Sequence, residues 1–261
     1  MVAGGDWAVL TRKMFHPQKI EVVPDLSFLA ERAAEEFIGL ADKVLRSQRR
    51  FSVALAGGST PRLMYAKLSQ AHLRWDRVHF FWGDERCVPS DHDDSNFHMA
   101  YQALLKSISI PSENIHRIHG ELPAEQAAKN YEEDLRIFFG RSRPRFNLIL
   151  LGLGTDGHTA SLFPGTLELG EKSNWVAPVI HRVPPAPPVD RVTLTLPVLN
   201  AAANILFLVS GGEKAICLAQ VLQGPFRQNM LPAQAVKPVK GNTIWLVDQP
   251  AATMLLLRKQ E

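Results

Sequence analysis

Residues 148–165 read LILLGLGTDGHTASLFPG, and Gly152, Gly154 and Gly157 within them fit the G-x-G-x-x-G pattern of dinucleotide-binding turns. In that class of site the third glycine opens a helix whose N-terminus holds a pyrophosphate. Here Pro164-Gly165 follows so soon that a helix has room for about two turns at most. The acidic residues that come next are also too early to bind a ribose. We therefore interpret the stretch as a glycine-rich loop for other chemistry, and not as a nicotinamide or flavin site.

Around this stretch the chain alternates apolar runs with segments of helical periodicity. The strand candidates are 19–23, 51–56, 78–82, 146–151, 175–180, 192–196, 205–209 and 243–247, and the helix candidates are 26–45, 62–72, 95–105, 124–138 and 213–222. Apolar runs separated by helices predict a mostly parallel, Rossmann-like sheet covered on both sides. We expect a single three-layer α/β/α domain over residues 1–261. The proline-rich stretch 184–188 reads as a surface loop, because strands resume at once.

The composition is that of a globular protein, with 46% hydrophobic and 21% charged residues. The formal net charge of +3 is spread along the chain and is compatible with an anionic small molecule. The densest basic cluster is RSRPR at 141–145. We interpret it as a solvated loop because no aromatic residues interleave with it, so no nucleic-acid partner is expected.

Two cysteines, Cys87 and Cys217, occur at no motif spacing. They exclude a disulfide framework or a cysteine-rich zinc site and favour a reducing compartment. The first residues contain no apolar core of signal-peptide length, and no apolar run reaches the roughly 18 residues that a membrane span needs. We expect a cytoplasmic protein without a membrane partner.

In parallel sheets of this kind, ligands bind beyond the carboxyl ends of the strands, which selects the loops 57–62, 83–96, 152–165 and 210–214. The first loop enters a helix and can hold an anion with backbone N–H groups, hydroxyls and the helix dipole, through Gly57, Gly58, Ser59, Thr60 and Arg62. A capped tight turn is an equally good interpretation. The loop lacks the lysine and spacing of a P-loop, which disfavours nucleoside triphosphates.

The loop 83–96 is rich in carboxylates. Asp84 and Glu85, at a strand end, are candidates for binding the hydroxyl groups of a sugar. A metal site is conceivable from the run Asp91, His92, Asp93 and Asp94. Four consecutive residues do not easily all point at one ion, so a solvated acidic loop is the better interpretation and no metal is expected.

The opening stretch places Asp156 and His158 beyond a strand end. An imidazole there can take and return a proton near neutral pH, although a single loop histidine is more often a hydrogen-bonded structural residue. Arg191 and Lys214 lie on two further segments that converge on the same edge. Either cation could be an ordinary surface charge. Two cations beside an anion cradle favour phosphate as the ligand.

Taken in this order, the segments resemble the 6-phosphogluconolactonase family, within the superfamily that also holds glucosamine-6-phosphate deaminases. The resemblance covers nearly the whole chain and rests on LAGGSTPRLMY at 55–65, FFWGDERCVPSDHDDSN at 80–96, NLILLGLGTDGHTASLFPG at 147–165, RVTLTLPVLNAA at 191–202 and VSGGEKA at 209–215. It implies hydrolysis of 6-phospho-D-glucono-1,5-lactone, the second step of the pentose phosphate pathway, without a cofactor or a required metal.

The resemblance also implies roles for individual residues. His158 matches the general base, and Asp156 is expected to hold the loop or to orient the imidazole. Arg191 and Lys214 match phosphate-binding cations, with Gly58, Ser59 and Thr60 at the phosphate end. Backbone N–H groups or Arg62 are candidates for holding the oxyanion. The other expected substrate-binding positions in the matching segments are Gly57, Asp84, Glu85, Arg86, Asn96, Gly154 and Gly157.

Two other functions, and one other mechanism for the same hydrolysis, fit parts of the pattern. In the deaminase branch a glutamate works with the histidine in ring opening, and Phe163 stands at its place here, where an apolar ring cannot move a proton. A serine hydrolase would need a G-x-S-x-G elbow, which is missing, and Ser161 follows His158 too closely to serve as its nucleophile. A non-catalytic sugar-phosphate binding domain would keep the phosphate-binding residues but does not need His158, whose presence favours an enzyme.

Overall fold

The computed structural model of the protein describes residues 9–12, 18–182 and 187–256. The strands are β1 (Val9–Arg12), β2 (Gln18–Val23), β3 (Phe51–Leu55), β4 (Val78–Trp82), β5 (Asp84–Arg86), β6 (Leu148–Leu151), β7 (Val176–Val179), β8 (Arg191–Leu194), β9 (Asn204–Val209) and β10 (Asn242–Asp248). The helices are α1 (Leu26–Leu45), α2 (Ser59–Leu68), α3 (Asn96–Ala103), α4 (Ala124–Phe139), α5 (Leu196–Leu199), α6 (Ala215–Gln223) and α7 (Gln249–Ala252).

The central sheet has the strand order β1-β2-β10-β9-β6-β3-β4. Its neighbouring strands are parallel, except that β1 runs antiparallel to β2. Every residue of β3 and of β6 is buried, as expected of strands that are covered on both faces. The predicted α/β fold with a mostly parallel, helix-flanked sheet is therefore confirmed.

The order of the strands opens a crevice between β3 and β6. The chain leaves β3 toward β4 on one side, and it leaves β6 toward β9 on the other. Connections that diverge in this way cannot fill the space above the two strands, so the loops at their carboxyl ends line a crevice. Two of the predicted loops, after β3 and after β6, meet there.

The helices begin where their capping residues allow. α1 has its predicted bounds and starts after Asp25, whose carboxylate accepts hydrogen bonds from two first-turn N–H groups at 2.8 and 3.1 Å. α2 starts at Ser59, earlier than the predicted residue 62, because Gly58 turns the chain at φ = 101° and Pro61 fits a first turn. Four of the six residues of the predicted loop 57–62 therefore form the N-terminal turn of a helix.

A second sheet, which the sequence pattern does not predict, forms from β5, β8 and β7 in that order. Its strands are antiparallel. The predicted strands 175–180 and 192–196 belong to it instead of to the parallel sheet, and β5 lies inside the predicted loop 83–96. The N–H of Leu194 donates to the carbonyl of Gly83 at 2.8 Å, which holds β8 beside the carboxyl end of β4. The second sheet therefore becomes one wall of the crevice.

Two remaining expectations concern the outside of the molecule. The predicted surface loop 184–188 lies partly outside the described residues. Among residues 9–12, 18–182 and 187–256, no helix combines the length and the apolar character that crossing a membrane requires.

Candidate active site

A cavity of about 210 Å³ lies in the crevice between β3 and β6. Its walls come from the loops after β3 and β6, from β5 and β8 of the second sheet, and from the turn after β9. It brings together the predicted residues Gly57, Gly58, Asp84, Arg86, Asn96, Gly154, His158, Arg191 and Lys214. A larger groove of about 620 Å³ lies elsewhere, but it contains no histidine, so the chemistry of the side chains selects the smaller cavity.

The other predicted residues surround this cavity without lining it. Ser59 and Thr60 lie in the first turn of α2, where helical N–H groups have no partner within the helix. Arg62 is exposed on α2 and lines a separate surface hollow with Asp93. Gly157 lies in the turn between Asp156 and His158. The roles of these residues remain predictions.

His158 forms a close pair with Asp156. Nδ1 of the imidazole lies 2.6 Å from Oδ1 of the carboxylate, which also accepts the backbone N–H of His158 at 3.1 Å. Burial is the largest single influence on Asp156 and opposes its ionisation, but the hydrogen bonds and the charge of His158 together outweigh it and lower the pKa of the carboxyl. An ionised carboxylate on Nδ1 keeps the proton on that nitrogen and leaves Nε2 as the basic atom of the ring.

Glycines in the loop after β6 make room for this pair. A Cβ on Gly154 would overlap Nδ1 of His158 and would lie 2.6 Å from Oδ1 of Asp156. Gly157 has φ = 88°, and a Cβ there would lie 2.6 Å from Cδ2 of Leu231. The G-x-G-x-x-G pattern therefore reflects how tightly the loop folds around its own histidine.

Strand alternation explains why two arginines line the opposite wall. β5 pairs with β8 so that Arg86 lies directly opposite Arg191, and Asp84 lies directly opposite Thr193. Because successive side chains point to opposite faces of a strand, these four residues share one face of the second sheet. That face carries Asp84, Arg86 and Arg191 into the cavity.

The two arginines are arranged to hold an anion. Arg191 is 4% exposed, and in the described part of the chain neither its Nε nor the Nε of Arg86 has a hydrogen-bond partner. Burial lowers the pKa of Arg191, and the charge of Arg86 lowers it further against the opposing effect of Asp84. A phosphate between the guanidinium groups would satisfy the unpaired donors and relieve the repulsion between like charges.

Glu85 points to the other face of β5 and does not reach the cavity. Its side chain is 2% exposed and accepts hydrogen bonds at 2.7 Å from the N–H groups of Arg86, Asn96 and Phe97. Burial raises the pKa of Glu85 to about 7, against the opposing effect of these three amides. The structure thus places this carboxyl at the start of α3, where it fixes the helix, and not where a sugar hydroxyl would bind.

Asn96 and Gly57 fit one against the other. The amide Nδ2 of Asn96 donates to the carbonyl of Asp84 at 2.9 Å, which fixes the direction of the side chain. A Cβ on Gly57 would overlap that amide. Gly57 therefore lets the start of α3 approach the end of β3, and both residues line the cavity.

Two buried carboxylates, Asp84 and Asp248, fix the loops around the cavity. Asp84 accepts a hydrogen bond from Oγ of Ser161 at 2.7 Å, which ties the loop after β6 to β5 and occupies the serine hydroxyl. Asp248, at the end of β10, accepts the N–H of Gly211 at 3.1 Å and the hydroxyl of Ser210. This second contact shapes the turn that presents Lys214, and no motif in the sequence indicates it.

Phe163 packs between the two walls of the cavity. Its ring centroid lies 4.7 Å from that of His158 and 4.3 Å from that of His181, on which it stacks. The guanidinium carbon of Arg191 lies 5.4 Å from the same ring. The sequence shows only that an apolar ring replaces the deaminase glutamate, whereas the structure shows that this ring supports both the histidine and an arginine.

Ala160 has an unusual backbone conformation beside the cavity. Its φ of 49° is the only positive value for a non-glycine residue in the described part of the chain. Left-handed backbone costs an alanine roughly 1 kcal/mol or more, and such strain tends to occur at functional sites. The Oγ1 of the neighbouring Thr159 donates to the carbonyl of Gly152 at 2.8 Å and closes the loop.

The acidic loop after β5 does not gather its side chains around one point. The N–H of Asp94 donates to Nδ1 of His92 at 3.1 Å, while the residues of this run stay largely exposed. Within the described residues, no group of three or more His, Cys, Asp or Glu side chains is arranged to hold a metal ion.

Comparison with known proteins identifies the family to which the chain belongs. Residues 24–245 match the family described as glucosamine-6-phosphate isomerases/6-phosphogluconolactonase, and the chain belongs to this family. Within it, the chain is similar to proteins that carry the name 6-phosphogluconolactonase. The one from Nostoc sp. is 39% identical over 241 residues, which cover 90% of this chain and 98% of that protein.

Two further relatives also carry the name 6-phosphogluconolactonase. The human 6-phosphogluconolactonase is 40% identical over 218 residues, which cover 80% of this chain and 82% of that protein. The crystal structure of 6-phosphogluconolactonase from Thermotoga maritima matches with a TM-score of 0.79 at 36% identity, and covers 89% of this chain and 100% of that chain. The resemblance to the 6-phosphogluconolactonase family is therefore confirmed.

Proposed function

We propose that the protein hydrolyses 6-phospho-D-glucono-1,5-lactone to 6-phospho-D-gluconate, in the oxidative branch of the pentose phosphate pathway. One observation carries the proposal: a single cavity holds an imidazole oriented by a carboxylate and, on the facing wall, two opposed arginines with unpaired donors. The first group suits proton transfer and the second suits a phosphate. The names of the Nostoc, human and Thermotoga relatives support the same reaction.

In this proposal His158 acts as the general base. The lactone C1 is an activated acyl carbon, so water can attack it directly while Nε2 of His158 takes the proton. When the tetrahedral intermediate collapses, the bond from C1 to the ring oxygen breaks and the proton passes from Nε2 to that oxygen. The carboxylic acid formed then ionises and releases one proton to the solvent.

Asp156 is a positioning residue in this scheme. Its carboxylate holds Nδ1 and so directs Nε2 away from the loop. It also stabilises the imidazolium that exists between the two proton transfers. The oxyanion at C1 is assigned to backbone N–H groups of the glycine loop after β6, because Arg62 lies outside the cavity.

The phosphate end of the substrate is assigned to Arg86, Arg191 and Lys214. All three line the cavity and come from different segments of the chain, β5, β8 and the turn before α6. The first turn of α2, with Ser59 and Thr60, adds N–H groups and the positive end of a helix dipole beside Gly58. A substrate bound in this way has its lactone directed toward His158.

The structure offers little support for the alternatives. Phe163 is buried beside His158 and supplies no proton, which disfavours deamination of an amino sugar. The hydroxyl of Ser161 is buried and donates to Asp84, so it is not free to act as a nucleophile. We also keep the cytoplasm as the proposed location and one domain as the proposed organisation, on the basis of composition and of a family match spanning residues 24–245.

Proton release tests the proposal. Purified protein is added to freshly prepared 6-phosphogluconolactone in weak buffer, and the rate is corrected for spontaneous hydrolysis. We expect rapid acid release by the wild type and none above background by a folded His158→Ala variant. Binding of 6-phosphogluconate without acid release would support a non-catalytic domain, and ammonia formed from glucosamine 6-phosphate would support the deaminase.

A further inference from the structure

A groove of about 620 Å³ lies at the amino-terminal edge of the central sheet. Its lining includes Arg145, which precedes β6, Ala201, which precedes β9, and Lys240, which precedes β10. Because these three neighbouring strands are parallel, the groove faces away from the carboxyl ends that hold His158. Its volume falls within the range of about 300–1,000 Å³ that is typical of ligand sites.

The rim of this basic groove is cationic. Arg143, Arg145, Lys172 and Lys240 line it, with Glu171 as its carboxylate. None of the four cations forms an ion pair with another described residue. The net charge of the groove is therefore positive, whereas the chain as a whole carries only a small positive excess.

Glu171 offsets only one of the four positive charges, and its carboxylate is held by its own turn. Its Oε1 accepts the N–H groups of Asn174, Ser173 and Lys172 at 3.0, 2.6 and 2.7 Å. These hydrogen bonds, with that of Asn174 the strongest, lower the pKa of Glu171 to about 2. The same hydrogen bonds shape the turn that presents Lys172.

The floor of the basic groove is apolar and held in place. Leu169 and Leu196 are buried there, while Val239 is 67% exposed at its edge. Nη2 of Arg145 donates to the carbonyl of Lys240 at 2.7 Å, which fixes the spacing between the segments that enter β6 and β10. The groove is thus formed before anything binds, which lowers the entropic cost of binding.

We propose that the basic groove binds an acidic, extended segment of a partner protein, with carboxylates on the rim and apolar side chains on the floor. The complementary charge selects an acidic partner. The lining contains no aromatic side chain on which a base could stack, so a peptide fits better than a nucleic acid. The site is independent of the lactonase cavity and shares no residue with it.

Fluorescence anisotropy tests this with a fluorescein-labelled peptide of alternating glutamate and leucine. The test variant is Lys172→Glu/Lys240→Glu, and the matched control is Lys43→Glu/Lys106→Glu, which makes the same change of charge at exposed positions outside the groove. We expect the test variant to bind at least about tenfold more weakly, and the control to bind like the wild type. A glutamate–serine peptide should bind more weakly than the glutamate–leucine peptide.

Several outcomes would overturn the proposal. They are no binding by the wild type at low ionic strength, equal binding by the test variant and the control, or tighter binding of a single-stranded oligonucleotide of equal charge. Both double variants should retain the wild-type melting temperature and rate of acid release. A protein that fails the lactonase assay but passes this one would refute the proposed reaction alone.

Discussion

Two of the histidine–carboxylate pairs in the described part of the chain differ in what surrounds them. In the first, Nδ1 of His158 lies 2.6 Å from Asp156, on a loop that lines a cavity. In the second, Nδ1 of His116 lies 3.0 Å from Asp134, beside the edge strand β4. Both pairs have the composition of a catalytic dyad. The comparison shows that the composition of a pair does not by itself identify a catalytic base.

The two pairs differ in the surroundings of Nε2, the ring nitrogen that does not face the carboxylate. Nε2 of His116 lies 3.1 Å from Nδ1 of His79, and the ring stacks on Phe81 with 4.1 Å between centroids and 3° between planes. No substrate can reach a nitrogen that is already bonded and covered in this way. His158 lines the cavity from a glycine-rich loop, and although the ring of Phe163 packs against it, no described side chain is bonded to its Nε2. Accessibility of the free nitrogen therefore separates a reacting pair from a structural one.

The largest expected effect comes from removing the two imidazoles in turn. His158→Ala should lower kcat by about 100- to 10,000-fold, because it removes the proposed general base. His116→Ala should leave kcat per folded molecule nearly unchanged and should lower stability, since it removes a stacked ring from an aromatic cluster. Acid-release kinetics and thermal unfolding measure the two quantities. An equal loss of kcat in both variants would remove the distinction between the pairs.

Replacing the carboxylates of the two pairs should give a smaller difference in kcat than replacing the histidines. Asp156→Asn should lower kcat by roughly 10- to 150-fold, the factor that corresponds to a charged hydrogen bond of about 1.5–3 kcal/mol. Asp134→Asn should have no comparable effect on kcat. Steady-state kinetics over a range of pH checks both, since a lost carboxylate at Asp156 should also move the acidic limb of the kcat profile. A flat response in the Asp156 variant would show that the loop alone orients the imidazole.

Arg86 and Arg191 are a further difference between the two pairs, because both arginines line the cavity with His158 and neither faces His116. Arg191→Lys keeps the charge but loses the planar fork, so we expect KM for the phosphorylated lactone to rise about tenfold with a smaller change in kcat. Arg74→Lys, at an exposed ion pair with Asp76, is the matched control and should leave both constants unchanged. If an unphosphorylated gluconolactone shows the same loss with the Arg191 variant, then the guanidinium does not act on phosphate.

The smallest expected effect is the dependence of stability on pH that comes from His79, which contacts His116 of the second pair. Burial lowers the pKa of His79 to about 4 from its ordinary 6.5, with further contributions from His116 and Arg50. Its stabilising contribution is therefore fully present above pH 6.5 and is lost as the pH falls toward 4. We expect about 1–2 kcal/mol, because solvent screens a half-buried ring.

Urea unfolding between pH 7 and pH 4.5 measures this contribution. His79→Phe should show less dependence on pH than the wild type over that interval, because it removes the ring that resists protonation. Gln70→Ala, which changes an exposed side chain that does not titrate, serves as the control, and its pH dependence should match that of the wild type. If the free energy of unfolding depends on pH in the same way in the His79 variant and the wild type, then groups other than His79 cause the loss of stability in acid.

The sequence predicts the parallel sheet and the loop after β6 better than the cavity wall opposite that loop. The apolar runs of β3, β4 and β6 are strong signals, and α1 has its predicted bounds because Asp25 supplies a clear cap. β5 is three polar residues long, so periodicity cannot reveal it. Without that strand there is no alternation to separate Asp84 and Arg86, which face the cavity, from Glu85, which does not.

Contacts between distant segments are the part that the sequence does not predict. His79, His116 and Asp134 share no motif, and their spacing gives no reason to place them together. The same holds for Asp248, which shapes the turn before Lys214 from the end of another strand. Phe163 can be recognised as a replacement for a glutamate, but its contact with Arg191 depends on how the two sheets pack.

For protein engineering, the lack of a Cβ at Gly154 is a strong restriction on the site. A single methyl group there would occupy the place of Nδ1 of His158. A mutational scan should therefore find position 154 intolerant of every side chain even where the variants still express and fold. To make this scaffold accept a different lactone, the loop after β6 should be kept unchanged. The second sheet should be varied instead, because side chains and not backbone shape that wall of the cavity.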